Sequence, residues 1–170
     1  MFERILVPLD GSQFSARALP YASEVAKRFH AEVILLQMVQ MEPIVPALAP
    51  TGAMGVPNTS PAAMQMMVDA ARKQDKKNAA KAKRYLRGKI RDLQKQELKS
   101  SYSVMIGDAA QGIIDFCQQE SVGLVVMTTT GKSGLKRAFL GSVADRVIRE
   151  PGLPVLVIRP EKRPRKRQPS

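Results

Sequence analysis

The apolar positions of this 170-residue chain fall into short unbroken runs separated by segments of helical spacing. Residues 3–9 (ERILVPL) centre on Ile5-Leu6-Val7, and residues 31–39 (AEVILLQMV) centre on Val33-Ile34-Leu35-Leu36. Residues 102–106 (YSVMI), 122–127 (VGLVVM) and 155–158 (VLVI) repeat the pattern. Apolar runs without polar alternation are expected of strands covered on both faces, as in a parallel sheet. The segments between them have apolar residues at helical period. One helix is expected to start at Ser12, a good N-cap, and to run through Phe14, Ala18, Ala22, Val25, Ala26 and Phe29 to His30. Pro20 falls inside it, where the missing N–H is expected to cost a hydrogen bond and permit a kink. Residues 62–99 predict a long helix with an interrupted apolar stripe, ended by Ser100 and Ser101. Two further helices follow, one after Gly107-Asp108 as far as Gln119 and one over 142–149.

Five strands alternating with four helices predict an α/β domain: an open five-stranded parallel sheet, right-handed crossovers and helices on both faces. Ligands of such sheets bind beyond the carboxyl ends of the strands. Two loops there carry chemistry. Residues 8–12 (PLDGS) follow the first strand, and residues 127–142 (MTTTGKSGLKRAFLGS) link the fourth strand to the last helix. The second loop combines Gly131, Gly134 and Gly141 with Thr128, Thr129, Thr130 and Ser133, and with Lys132, Lys136 and Arg137. Glycines, hydroxyls, cations and a helix start together suit a phosphate, and a polar crossover without ligand has the same composition. Asp10 either accepts hydrogen bonds from a ligand or closes its own Asp-Gly-Ser turn.

Charge changes the picture in two places. Residues 72–99 hold twelve Lys/Arg against three acids, and residues 161–170 hold five Lys/Arg against Glu161. These segments carry +9 and +4 of the formal charge of +12, and the rest of the chain is near neutral at −1. A basic helix and tail attract nucleic acid, anionic lipid or an acidic partner. No aromatic interleaving beyond Tyr85 and no helix-turn-helix or zinc-finger spacing accompanies them, so a solvated helix face and a disordered tail are the expectation. Residues 40–61 hold five of the twelve prolines and several apolar residues. They read as an irregular loop inserted in a single domain, 1–160, followed by the basic tail, 161–170.

Several chemistries are excluded. Cys117 is the single cysteine, so no intramolecular disulfide or Cys-based metal cluster can form, and its apolar surroundings mark a buried structural thiol. Gly131-Lys132-Ser133 resembles the end of a P-loop, but Val126 stands where the first glycine is required. G-x-G-x-x-G follows no strand. His30 is the single histidine and closes a helix away from both loops, which removes a Ser-His-Asp triad. The N-terminal residues are expected to be neither a signal peptide nor a membrane span.

Taken together, VPLDGS, LLQMV, MTTTGKSGLKRAFLGSVADRVI and PVLVIRP resemble the universal stress protein family. The likeness covers nearly the whole chain outside residues 40–61 and the tail. It implies a Rossmann-like, adenine nucleotide alpha hydrolase-like sheet of order 3-2-1-4-5. It also implies a cytoplasmic homodimer joined through the last strand, Val155, Leu156, Val157 and Ile158. One branch of the family binds ATP with Mg²⁺ or Mn²⁺, through Gly, two residues, Gly, nine residues, Gly, then Ser or Thr. Gly131, Gly141 and Ser142 match that pattern, while Thr128 stands in place of its first glycine. The resemblance places Pro8, Leu9, Asp10 and Met38 about the base and ribose, Met127 and Thr128 near the ribose, and Gly131, Gly141, Ser142 and Val143 about the phosphates. The implied function is an ATP-binding sensor or regulator of stress responses, with slow ATP hydrolysis at most. The alternatives are a dimeric interaction protein that has lost the nucleotide and acts on a downstream protein partner, and a nucleic-acid or membrane-surface binder using the basic helix and tail.

Overall fold

The five apolar runs assemble into one parallel sheet. The structure, a computed structural model, describes residues 2–41, 61–129 and 141–159. Strand β1 (Arg4–Pro8) lies between β2 (Glu32–Val39) and β4 (Leu124–Thr128); β3 (Ser100–Ile106) and β5 (Val155–Ile158) form the edges, giving order 3-2-1-4-5. All pairings are parallel, with Leu6 opposite Ile34 on one side and Val125 on the other. The central strands β1, β2 and β4 are buried on both faces, as their uninterrupted apolar runs require, while the edge strands are only half-buried. Ile5, Val7, Val33, Leu35 and Val126 pack toward α1 (Leu19–Phe29) and α2 (Pro61–Gln94). Leu6, Ile34, Leu36, Val125 and Met127 pack toward α3 (Ala109–Gln119) and α4 (Ser142–Ile148).

Three boundaries differ from the sequence expectation. The first helix is two pieces, a 3₁₀ turn at Ser15–Ala18 and then α1. Pro20 therefore occupies the first turn of α1, where an N–H has no intrahelical partner to lose, and the expected mid-helix kink does not arise. Ser12 is the N-cap of neither piece, since Phe14 and Ala18 hold those positions without a side-chain cap bond; its Oγ instead accepts the Ser15 N–H at 3.1 Å within the preceding turn. Phe14 and Phe29 are not core; Phe29 meets Phe2 edge-on with centroids 5.1 Å apart.

Helix α2 stops at Gln94, and Glu97 takes a positive φ of 60° in the turn that follows. Ser100 and Ser101, expected to end the helix, begin β3 instead. Register explains this: Val33 and Ile34 extend the ladder onto Ser100 and Ser101. Among the described side chains of α2, the stripe is buried at Ala82, Leu86, Ile90 and Leu93, while Met64 and Met66 are exposed. Similarly β4 begins at Leu124: the Val122 N–H still bonds back to the Cys117 carbonyl of α3 at 2.9 Å, and the Gly123 N–H makes the first contact with β1, on the Arg4 carbonyl at 3.0 Å. Of the Pro-rich loop expected over 40–61, Pro61 instead opens α2; its residues 42–60, Gly131 with the cations Lys132, Lys136 and Arg137, and the basic tail lie outside the described residues.

Candidate functional site at the sheet switch point

β1 leads to β2 on one side, while β4 lies on its other side, so the chain's direction across the sheet reverses between β1 and β4. A crevice opens above that point. There a cavity of about 260 Å³ is bounded by Pro8, Leu9 and Asp10 after β1 and by Ser15 beyond them. Leu36 and Met38 of β2 form one wall, facing Ala109 and Ile113 of α3. Met127, Thr128 and Thr129 close it at the end of β4, with Gly141 to Ala144 at the start of α4. The lining is apolar toward Leu36, Met38 and Ile113 and carries hydroxyls at Thr128, Thr129 and Ser142.

Each wall has a local cause. Asp10 Oδ1 accepts the Ser12 N–H at 2.9 Å, so the turn reading of Asp10 holds while the residue also borders the cavity. Gly11 between them has φ +82°, which a side chain rarely adopts. Ser15 Oγ accepts the Asp10 N–H at 3.3 Å and donates to the Ser12 carbonyl at 3.2 Å. Helix α2 supports this turn from behind: Tyr85 Oη donates to the Ser12 carbonyl at 3.5 Å. Burial, and then the neighbouring Asp10 carboxylate, push the Tyr85 phenol above its ordinary value; a hydrogen bond to Ser15 opposes them.

At the opposite wall, the Gly141 N–H donates to the Thr129 carbonyl at 2.7 Å. That N–H is thereby committed within the chain. Gly141 is also not a left-handed residue (φ −62°, ψ 152°). Its Cβ would lie 3.2 Å from the Thr129 oxygen, so close approach, not φ, favours glycine there. The helical ladder of α4 starts with the Asp145 N–H on the Gly141 carbonyl at 2.9 Å. The N–H groups of Ser142, Val143 and Ala144 precede that ladder. Thr128 ends β4, is 8% exposed, and is not among the residues of positive φ, so the strand carries its Cβ without backbone strain. Among the described residues no group of three or more His, Cys, Asp or Glu is placed to hold a metal ion.

Of the ten positions singled out in the sequence, Pro8, Leu9, Asp10, Met38, Met127, Thr128, Gly141, Ser142 and Val143 converge on the cavity, and Gly131 lies outside the described residues. Thr129, named among the hydroxyls of the second loop, also lines it, as do Ser15, Leu36, Ala109, Ile113 and Ala144, which were not anticipated. Ala109 and Ile113 carry a usable signal. They stand four apart at the start of a helix that follows a strand's carboxyl end, so one helix face meets the crevice. His30 is exposed and Cys117 buried, neither of them at the cavity. Burial pushes the Cys117 thiol up to about 12.

Comparison with known proteins agrees with this geometry. The model of the universal stress protein family matches residues 1–159. The universal stress protein MJ0531 of Methanocaldococcus jannaschii is 31% identical over 163 residues, covering 96% of this chain and 85% of the relative. The solved structure of MJ0577 from the same organism superposes with a TM-score of 0.76 at 23% identity, covering 96% of this chain and 99% of that one. A family protein of Arabidopsis thaliana, solved with AMP bound, shares the fold with a TM-score of 0.56 at 14% identity, over 93% and 92% of the two chains. The strand order, the crevice between β1 and β4 and the match along residues 1–159 have one reading: the chain belongs to the universal stress protein family.

Proposed function

We propose that the chain is an adenine-nucleotide-binding regulator of stress responses, with ATP its expected ligand. The observation that carries this reading is the two-ended cavity. Its apolar end, between Met38, Leu36 and Ile113, suits a flat base, and its hydroxyl end, at Thr128, Thr129 and Ser142, suits ribose and phosphate. The AMP bound to the Arabidopsis protein of the same fold supports an adenine nucleotide. In this role Asp10 orders the first turn and accepts from the sugar, Met38 covers the base, and the Ser142 hydroxyl with the N–H groups of Ser142 and Val143 meets phosphate oxygens. Gly131 belongs to the same proposal through its place in the glycine pattern. Mg²⁺ or Mn²⁺ would arrive on the phosphates, since the described residues offer no carboxylate cluster of their own. Asp10 is the one ionisable side chain among the described lining residues, and general-base hydrolysis needs a free, positioned proton acceptor. Binding without rapid turnover is therefore proposed. ATP with divalent metal raises the thermal midpoint if this is right, as any ligand selective for the native state must. No shift at millimolar ATP overturns it.

A homodimer is proposed alongside. β5 is an edge strand with Val155, Leu156 and Val157 only half-buried, and an apolar edge of this kind favours pairing with a second copy.

A further inference from the structure

Gly112 lies near the start of α3, with its N–H on the Asp108 carbonyl at 3.0 Å. Glycine is a poor helix former, so a glycine here is a cost unless something uses the absent side chain. The Met38 thioether uses it. A Cβ on Gly112 would overlap Met38 Cε and lie 2.9 Å from its Sδ and 3.8 Å from its Cγ. Met38 cannot retreat along the strand, because its backbone is paired to Met105 in the β2–β3 ladder. Nor can it move down the sheet face, where Leu36 and Ile113 are 1% and 2% exposed. The space it does border is the cavity.

We propose that Gly112 is a positioning residue for base recognition: by lacking a side chain it seats Met38 against α3, so that the thioether forms a wall of the base end. The proposal rests on the nucleotide reading above. An unbranched, polarizable thioether lying along a helix gives a flat contact for an aromatic ring. With alanine at 112, the same side chain swings into the cavity and occupies the volume the base would take. Displacing the far end of a flexible side chain strains the fold little, so binding changes while folding does not.

The test is calorimetric titration with ATP and Mg²⁺ of the wild type, Gly112→Ala and Gly112→Ala/Met38→Ala, with ¹³C-methyl NMR of the methionines. In Gly112→Ala the ligand-free thermal midpoint is not lowered, the Met38 methyl resonance moves, and ATP affinity falls about tenfold, as overpacking at a contact entails. The double variant recovers affinity over the single one, because the displaced thioether is gone. Equal ATP affinity in wild type and Gly112→Ala overturns this role alone. So does an unmoved Met38 methyl, a double variant no better than the single, or a fallen midpoint that the double variant leaves fallen. A wild type that binds no ATP overturns the nucleotide reading, and this role with it.

Discussion

The Thr129 carbonyl accepts the Gly141 N–H at 2.7 Å, so a hydrogen bond joins the end of β4 to the start of α4. This contact fixes the start of α4 beside the end of β4 and thereby sets one wall of the cavity. A side chain at 141 meets the Thr129 oxygen at 3.2 Å. Gly141→Val is expected to lower stability by about 1–2 kcal/mol and to abolish the ATP-induced rise in thermal midpoint. Melting curves with and without ATP measure both effects.

Thr128 replaces the first glycine of the pattern, yet its φ is not positive and its side chain is buried beside the cavity. Thr128→Gly is expected to cost about 1 kcal/mol, the penalty of glycine within a strand. The Thr128 hydroxyl belongs to the polar end of the cavity, so the variant should bind ATP more weakly than the wild type. Equal or tighter binding by titration would show that the threonine side chain is no ligand contact.

Asp108 caps α3, accepting the Gln111 N–H at 2.8 Å, and pairs with Arg146 of α4 at 3.1 Å. These contributions differ in size. An exposed ion pair contributes about 0–1 kcal/mol, whereas loss of an N-cap costs about 0.5–2 kcal/mol. Asp108→Ala should therefore destabilise more than Arg146→Ala, and in denaturant titration the gap should persist at high salt.

The Cys117 thiol, 4% exposed, is raised by burial from 9.0 to about 12. The native state therefore holds its proton at pH values where the unfolded chain has lost it. Stability from this group is complete below pH 9 and is lost as pH rises from there toward about 12. Cys117→Ala should flatten the alkaline fall in stability relative to wild type. In native conditions the wild-type thiol should resist alkylation until the protein unfolds, which mass spectrometry detects.

Val157 belongs to the edge strand β5 but is not among the residues packed in either core cluster. Val157→Glu should therefore leave the fold intact and convert a β5-paired dimer to monomer. Sedimentation velocity at micromolar concentration distinguishes the two. A wild type already monomeric there refutes the edge pairing.

Much of the fold was legible because period and burial are encoded locally. Val33-Ile34-Leu35-Leu36 has no polar alternation, and both faces of that strand are indeed covered. The helix boundaries were less legible. Period alone could not show that Pro20 starts a helix rather than interrupting one, or that Ser100 and Ser101 are held by pairing with Val33 and Ile34. Strand pairing is a nonlocal event with no local signature.

The crevice was legible in part for the same reason. The turn Pro8-Leu9-Asp10-Gly11-Ser12 and the glycine-rich segment opening at Met127 announced themselves by residue type, and the resemblance supplied the strand order that puts them side by side. The sequence by itself determined the strands, the helices and the two loops that carry polar chemistry, because those depend on neighbours along the chain. Only the tertiary structure decided that the Gly141 N–H belongs to Thr129, that Ala109 and Ile113 close the cavity, and that Gly112 makes room for Met38. Those relationships join residues far apart in sequence, and their physical content is distance in the folded chain.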